Sequence, residues 1–160
     1  MIANRFVDQQ GIYLLSHSVG LPLKSSLAGA YNAFWQPWLG ADEQIWNHWL
    51  EQIERFRDQL GLLLNSDSCN FCPQTTISSA VNKIIFSLSA RSDKNIILMS
   101  EEDFPSVAYA LQQACRLDYQ VRYIPAGLDL NDMSIWDEYL TDDVALVLIT
   151  QVQSNNGVQL

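Results

Sequence analysis

Two short apolar runs and a third strand-like run between them, spaced a helix's length apart, constrain this chain more than any other feature. They are Asn95-Ile-Ile-Leu-Met-Ser100, Tyr119-Gln-Val-Arg-Tyr-Ile124 and Val144-Ala-Leu-Val-Leu-Ile149. A strand covered on one face alternates apolar and polar residues, whereas a strand covered on both faces reads as a nearly continuous apolar run. Between the first two runs lies a helical pattern that Pro105 can open, since proline is tolerated in a first turn. Its inward positions are Val107, Ala108, Leu111 and Ala114. A second helical pattern lies near residues 131–140. A third precedes the first run, with Ile77, Ala80, Val81, Ile84, Ile85 and Leu88 on its apolar face. Strand and helix alternating over short links predict a parallel sheet with helices on both faces, an α/β three-layer fold.

The first part of the chain has a different character. Gly11-Ile-Tyr-Leu-Leu15 predicts a short strand or extended lead-in, and Ser16-His-Ser-Val-Gly20 with Pro22 predicts a loop. A helical stretch is expected over about residues 25–35, broken by Pro37 and Gly40. From Asp42 a long amphipathic helix is expected, with Ile45, Trp46, Trp49, Leu50, Ile53, Phe56 and Leu60 at three- and four-residue steps. At that spacing the Trp35/Trp38 and Trp46/Trp49 pairs read as core or subunit interface rather than as a ligand groove. The chain therefore divides into a mostly helical segment, residues 1–64, and an α/β segment, residues 65–160.

Charge narrows the range of partners. Eighteen acidic residues against nine basic ones give a net charge of -9, with no Lys/Arg stripe to offset it. That balance opposes phosphate backbones and anionic membrane surfaces, so neither nucleic acid nor membrane is an expected partner. No apolar run reaches the ~18 residues needed to span a bilayer. The first residues lack a continuous apolar core, so no signal peptide is read and a cytoplasmic location is expected. The odd cysteine count (Cys69, Cys72, Cys115) argues against a disulfide framework. Cys69-Asn-Phe-Cys72 has redox or half-zinc spacing, but a zinc site needs about four ligands, and Phe71 with its apolar neighbours suggests that both thiols are buried. No metal site is expected.

Four segments in order resemble the class V aminotransferase group of fold-type I pyridoxal-phosphate enzymes, with kynureninase the nearest pattern. Tyr13-Leu-Leu-Ser-His-Ser-Val-Gly20 with Pro22 is similar to the kynureninase opening. Gln74-Thr-Thr-Ile-Ser-Ser79 stands where that group carries its phosphate-cradling turn. Asp103-Phe-Pro-Ser-Val-Ala-Tyr109 resembles its Phe-Pro-Ser/Thr segment, and Ile149-Thr-Gln-Val-Gln-Ser-Asn-Asn-Gly157 resembles its strand-end motif. The departures are Gln74 in place of a small residue or Asn, Gln151 in place of His, and Ser154 where many relatives have Asn.

The resemblance implies the large domain of the aspartate-aminotransferase-like fold, in truncated form, and a homodimer acting on an amino-acid substrate. Its cofactor would be pyridoxal 5'-phosphate (PLP). Thr75 and Thr76 would hold the phosphate, although a threonine here could equally be a plain helix cap. Phe104 would stack on the cofactor ring, where the bland alternative is a helix staple. Ser154 and Asn155 would approach the cofactor, and His17 and Ser18 would face the substrate. Tyr109 is expected to pack. The implied reaction is a kynureninase-like C–C hydrolysis or a class V transamination; the alternative is a non-catalytic domain that acts only as an interaction partner. The family's Schiff-base lysine and pyridine-nitrogen aspartate would lie beyond Leu160, and none of Lys24, Lys83 and Lys94 falls at the lysine's place. No catalytic residue is therefore assigned.

Overall fold

The computed structural model describes residues 2–160, with side chains from residue 4 onward. The chain forms two compact units, Met1–Pro73 and Gln74–Leu160.

In the first unit Gly11-Ile-Tyr-Leu-Leu15 forms no strand. Nearby backbone pairs through the bridge Phe6↔Leu23 and the bond from Val7 N to Pro22 O (3.0 Å). Helix α1, Ser26–Ala30, continues through a π-turn, Tyr31–Trp35, into α2, Gln36–Leu39. Pro37 does not break this run as expected, because the wider turn brings it in at the start of α2, where its missing N–H costs no helical bond. The run ends at Gly40. Helix α3, Ile45–Leu64, follows a turn in which Asp42 Oδ1 accepts from Gln44 N (2.8 Å). Its C-terminal cap is Asn65, left-handed at φ 51°. Gly61 is required by close approach, since a Cβ there would lie 2.7 Å from Ser66 O. The aromatic pairs meet: Phe34 stacks on Trp49 at 4.9 Å and Trp35 on Trp38 at 5.6 Å. They are not core, however, for Trp35, Trp38 and Trp46 are exposed.

The second unit is built on a parallel three-stranded sheet in the order β2-β1-β3, with β1 at Ile96–Ser100, β2 at Gln120–Ile124 and β3 at Val144–Val147. Every residue of β1 is buried. Alternate β1 side chains serve opposite layers, as a pleated strand requires. Ile97 and Met99 join Val81, Ile85, Val107 and Leu111 from α4 (Ile77–Ser87) and α5 (Pro105–Gln112). Leu98 turns the other way, to Ile124 and Leu130, against which Ile135 and Trp136 of α6 (Met133–Tyr139) pack. This is the expected α/β arrangement, three layers with β1 in the middle.

Several side chains depart from their expected burial. On α4 only Val81 and Ile85 are buried, while Ile77 and Ile84 are exposed. Tyr109 is exposed rather than packed, because α5 turns Val107, Ala110 and Leu111 inward instead. Cys69 and Cys72 are exposed too, which corrects the expectation of buried thiols. Cys69 follows α3 in a short 3-10 turn, Ser68–Asn70, with Cys72 two residues past it, and neither belongs to a core cluster.

The core assignment is tested by Leu98→Ala, which should cost about 2–5 kcal/mol of unfolding free energy because Leu98 is fully enclosed. Leu63→Ala, on an exposed part of α3, should stay within about 0.5 kcal/mol. Urea denaturation of both variants decides; equal losses would mean that β1 is not the centre of the core.

Candidate functional site

In a parallel sheet covered on both faces, ligands sit beyond the carboxyl ends of the strands, where helix N-termini also converge. Here that edge is made by the loop after β1, the start of α4, and the segment after β3.

Thr76 caps α4: its Oγ1 accepts from Ser79 N at 3.1 Å, and its carbonyl accepts from Ala80 N at 3.1 Å. The amides of Ile77 and Ser78 come before the first intrahelical bond and point out of the helix end, where the dipole favours an anion. Thr75 is exposed beside them. Lys83, nearly two turns on, reaches back so that Nζ donates to Gln74 Oε1 at 2.5 Å. One cation therefore lies next to the residue that opens the turn. This donor set, two outward amides, two hydroxyls and a nearby ammonium, fits a phosphate.

The start of α5 lies alongside. Ser78 Oγ is 3.3 Å from both Ser106 O and Ser106 Oγ, so the first turns of α4 and α5 touch. Phe104 immediately precedes α5 and is 57% exposed. It is therefore not a buried staple, and its ring is available to a flat ligand. The structure thus brings Thr75, Thr76 and Phe104 to one end of the unit.

The segment after β3 is tied to the same place by a buried carboxylate. Asp103 Oδ2 accepts from Ser100 N at 2.9 Å, closing the turn at the end of β1, and Asp103 Oδ1 accepts from Gln153 Nε2 at 3.3 Å. Gln153 is 2% exposed, and its Oε1 has no hydrogen-bond partner among the described residues. Ser154 and Asn155 follow in an exposed turn closed by Gly157 N to Gln153 O at 2.9 Å. Asn156 Nδ2 donates to Glu102 Oε2 at 3.3 Å. Beside Gln153 is a cleft of about 280 Å³ bordered by Glu102, Asp129 and Asn156. Its carboxylates oppose a dianion there.

His17 and Ser18 belong to the first unit. His17 Nδ1 lies 3.3 Å from Leu14 O, Ser18 N donates to Leu15 O at 2.9 Å, and both residues are exposed. Among the described residues no cluster of His, Cys, Asp or Glu suits a metal ion, and no helix is long and apolar enough to cross a membrane.

Sequence reasoning missed Asp103 and Gln153 as structural partners. Both stand inside quoted motifs, but their neighbours Phe104 and Ser154 drew the attention. The available signal was an acidic residue three positions past a strand-terminal Ser, the spacing of a side chain that folds back onto a freed backbone amide. Asp103→Ala would leave Ser100 N–H and the Gln153 amide buried without their acceptor. It should cost about 1–3 kcal/mol in urea denaturation, with Asp103→Asn losing less; no loss in either variant would show that this link is not needed.

No protein-family model matches the chain, and no curated protein does. Among solved structures it is similar to a lysine-to-alanine mutant of C-DES with glycine covalently linked to the PLP cofactor. The two superpose with a TM-score of 0.76 at 17% sequence identity, over 90% of this chain and 39% of that one. The chain thus spans well under half the length of that neighbour. At this identity the likeness is one of fold: the chain has the three-layer α/β fold of the PLP-dependent transferases.

Proposed function

We propose that this chain is the N-terminal part of a PLP-dependent enzyme acting on an amino acid, by kynureninase-like C–C hydrolysis or class V transamination. The observation that carries the proposal is the convergence of the α4 N-terminus and the exposed Phe104 ring at the carboxyl edge of the sheet, joined through Ser78 and Ser106. The structural neighbour of this fold holds PLP.

In this reading the outward amides of Ile77 and Ser78, with the hydroxyls of Thr75 and Thr76, hold the phosphate. Phe104 lies against the pyridine ring and fixes its tilt. Ser154 and Asn155 approach the ring from the end of β3, on a turn oriented by the buried Gln153–Asp103 bond. His17 and Ser18 contribute to the substrate side. When bound, the cofactor supplies an electron sink for negative charge developing beside the substrate nitrogen. What this chain's residues contribute is grip and orientation: helix-end donors hold a dianion without adding a full charge, and an aromatic face excludes water from one side of the ring.

The test is the dependence of binding on the phosphate group, measured by titrating PLP and pyridoxal into the protein carrying this chain. PLP should bind more tightly than pyridoxal, and Thr76→Ala should weaken PLP binding by about ten- to a hundredfold, the value of one charge-assisted hydrogen bond. Pyridoxal affinity should change little. Because Thr76 also caps α4, Thr76→Ser serves as the control that keeps the cap and should keep the affinity. An unchanged PLP affinity in a folded Thr76→Ala protein would remove the phosphate assignment.

A further inference from the structure

Cys69 and Cys72 stand in Cys-x-x-Cys spacing and are both exposed. Cys69 lies in the 3-10 turn Ser68–Asn70, and Phe71 follows in extended conformation at φ −108°, ψ 131°. Asn70 is helical and Phe71 extended, the dihedral sequence found at the centre of type VIII turns. Two residues separate the cysteines, so a small backbone adjustment at Asn70 and Phe71 decides whether their Cα atoms close to the roughly 4.4–6.8 Å that a disulfide bridges. The turn is held independently of the sulfurs. Asn70 N donates to Asp67 O (3.0 Å), Phe71 N to Ser68 O (3.2 Å) and Asn70 Nδ2 to Ser66 Oγ (3.0 Å). Arg57 of α3 donates from Nε to Ser68 O at 3.1 Å, tying the turn to the long helix. Cys69 therefore sits inside a pinned turn and Cys72 just beyond it, both exposed to solvent.

We propose that Cys69 and Cys72 are a reversible redox pair, a modification site that closes to an intramolecular disulfide by exchange with a small disulfide such as glutathione disulfide. One cysteine thiolate attacks a sulfur of the oxidant, forming a mixed disulfide and releasing one glutathione thiolate. The second cysteine thiolate then attacks the sulfur of the first cysteine, closing the ring and releasing the second glutathione. The protein dithiol loses two electrons and two protons, and one glutathione disulfide becomes two glutathione thiols. The pair stands just ahead of Pro73 and Gln74-Thr-Thr76 in sequence, but the inference does not depend on cofactor binding.

The experiment equilibrates the full chain with graded mixtures of reduced and oxidised glutathione, quenches with acid, alkylates, and maps the peptides by mass spectrometry. Cys115, also exposed but with no cysteine within a turn of it in sequence, is the internal reference. The expected result is that Cys69 and Cys72 become protected together, in one peptide lighter by two hydrogens. This should occur at lower oxidant than glutathione addition at Cys115. In Cys72→Ser the ring cannot close, and the glutathione adduct should accumulate on Cys69. Separate adducts on Cys69 and Cys72, disulfides between two chains, or alkylation that tracks Cys115 across the series would each overturn the proposal.

Discussion

The burial of β1 on both faces and its pairing on both edges is the constraint on which the second unit depends. A five-residue strand has only five side chains, yet here they anchor two separate layers. Ile97 and Met99 give α4 and α5 their surface, and Leu98 gives α6 its own. Parallel ladders on either side satisfy the strand's amides and carbonyls, which water cannot reach. Burial of this kind leaves open polar groups only at the two ends of the strand, and at the carboxyl end the starts of α4 and α5 come together. In open α/β sheets ligands bind just beyond that end of the strands.

How that end is finished determines the site. Asp103 folds back on Ser100 N and simultaneously takes the Gln153 amide, so one carboxylate both closes β1 and positions the segment after β3. The same turn delivers Phe104 and Pro105 to the start of α5, next to the start of α4. The fold thus sets an aromatic face, a helix end with unused donors, and a buried amide within one neighbourhood, although they come from three separate parts of the sequence. Gln153 Oε1, left unpartnered while its own nitrogen is bound, is a polar valence that this unit does not itself fill.

Much of this arrangement was legible beforehand, and the reason is period. Continuous apolar runs marked β1 and β3, an alternating run with Gln120 and Arg122 marked β2, and β1 begins only one residue from its expected start. Strand β3 ends at Val147 rather than Ile149, although Leu148 N still bonds Leu98 O; apolarity persisted beyond the regular ladder. Periodicity was less able to say what covers an apolar side chain. Ile77, Ile84 and Tyr109 fall on helices whose buried stripe is narrower than their apolar one, and all three are exposed. The same limit applies to Trp35, Trp38 and Trp46 in the first unit. Asp103's bond to Ser100 N had a local spacing signal, but its bond to Gln153 joins residues fifty apart, for which a single sequence has no local signature. Cys69 and Cys72 were misjudged from an aromatic neighbour, when the short turn after α3 decides their exposure.

The proposed cofactor site lies at one place, the carboxyl edge of the sheet, and amide hydrogen exchange with and without PLP tests it most directly. Binding should protect residues 75–80, 103–106 and 151–157, the three stretches brought to that edge, and should leave 93–95 and 118–120 at the opposite end of the strands unchanged. Protection confined to the opposite end, or to α3 in the first unit, would contradict it.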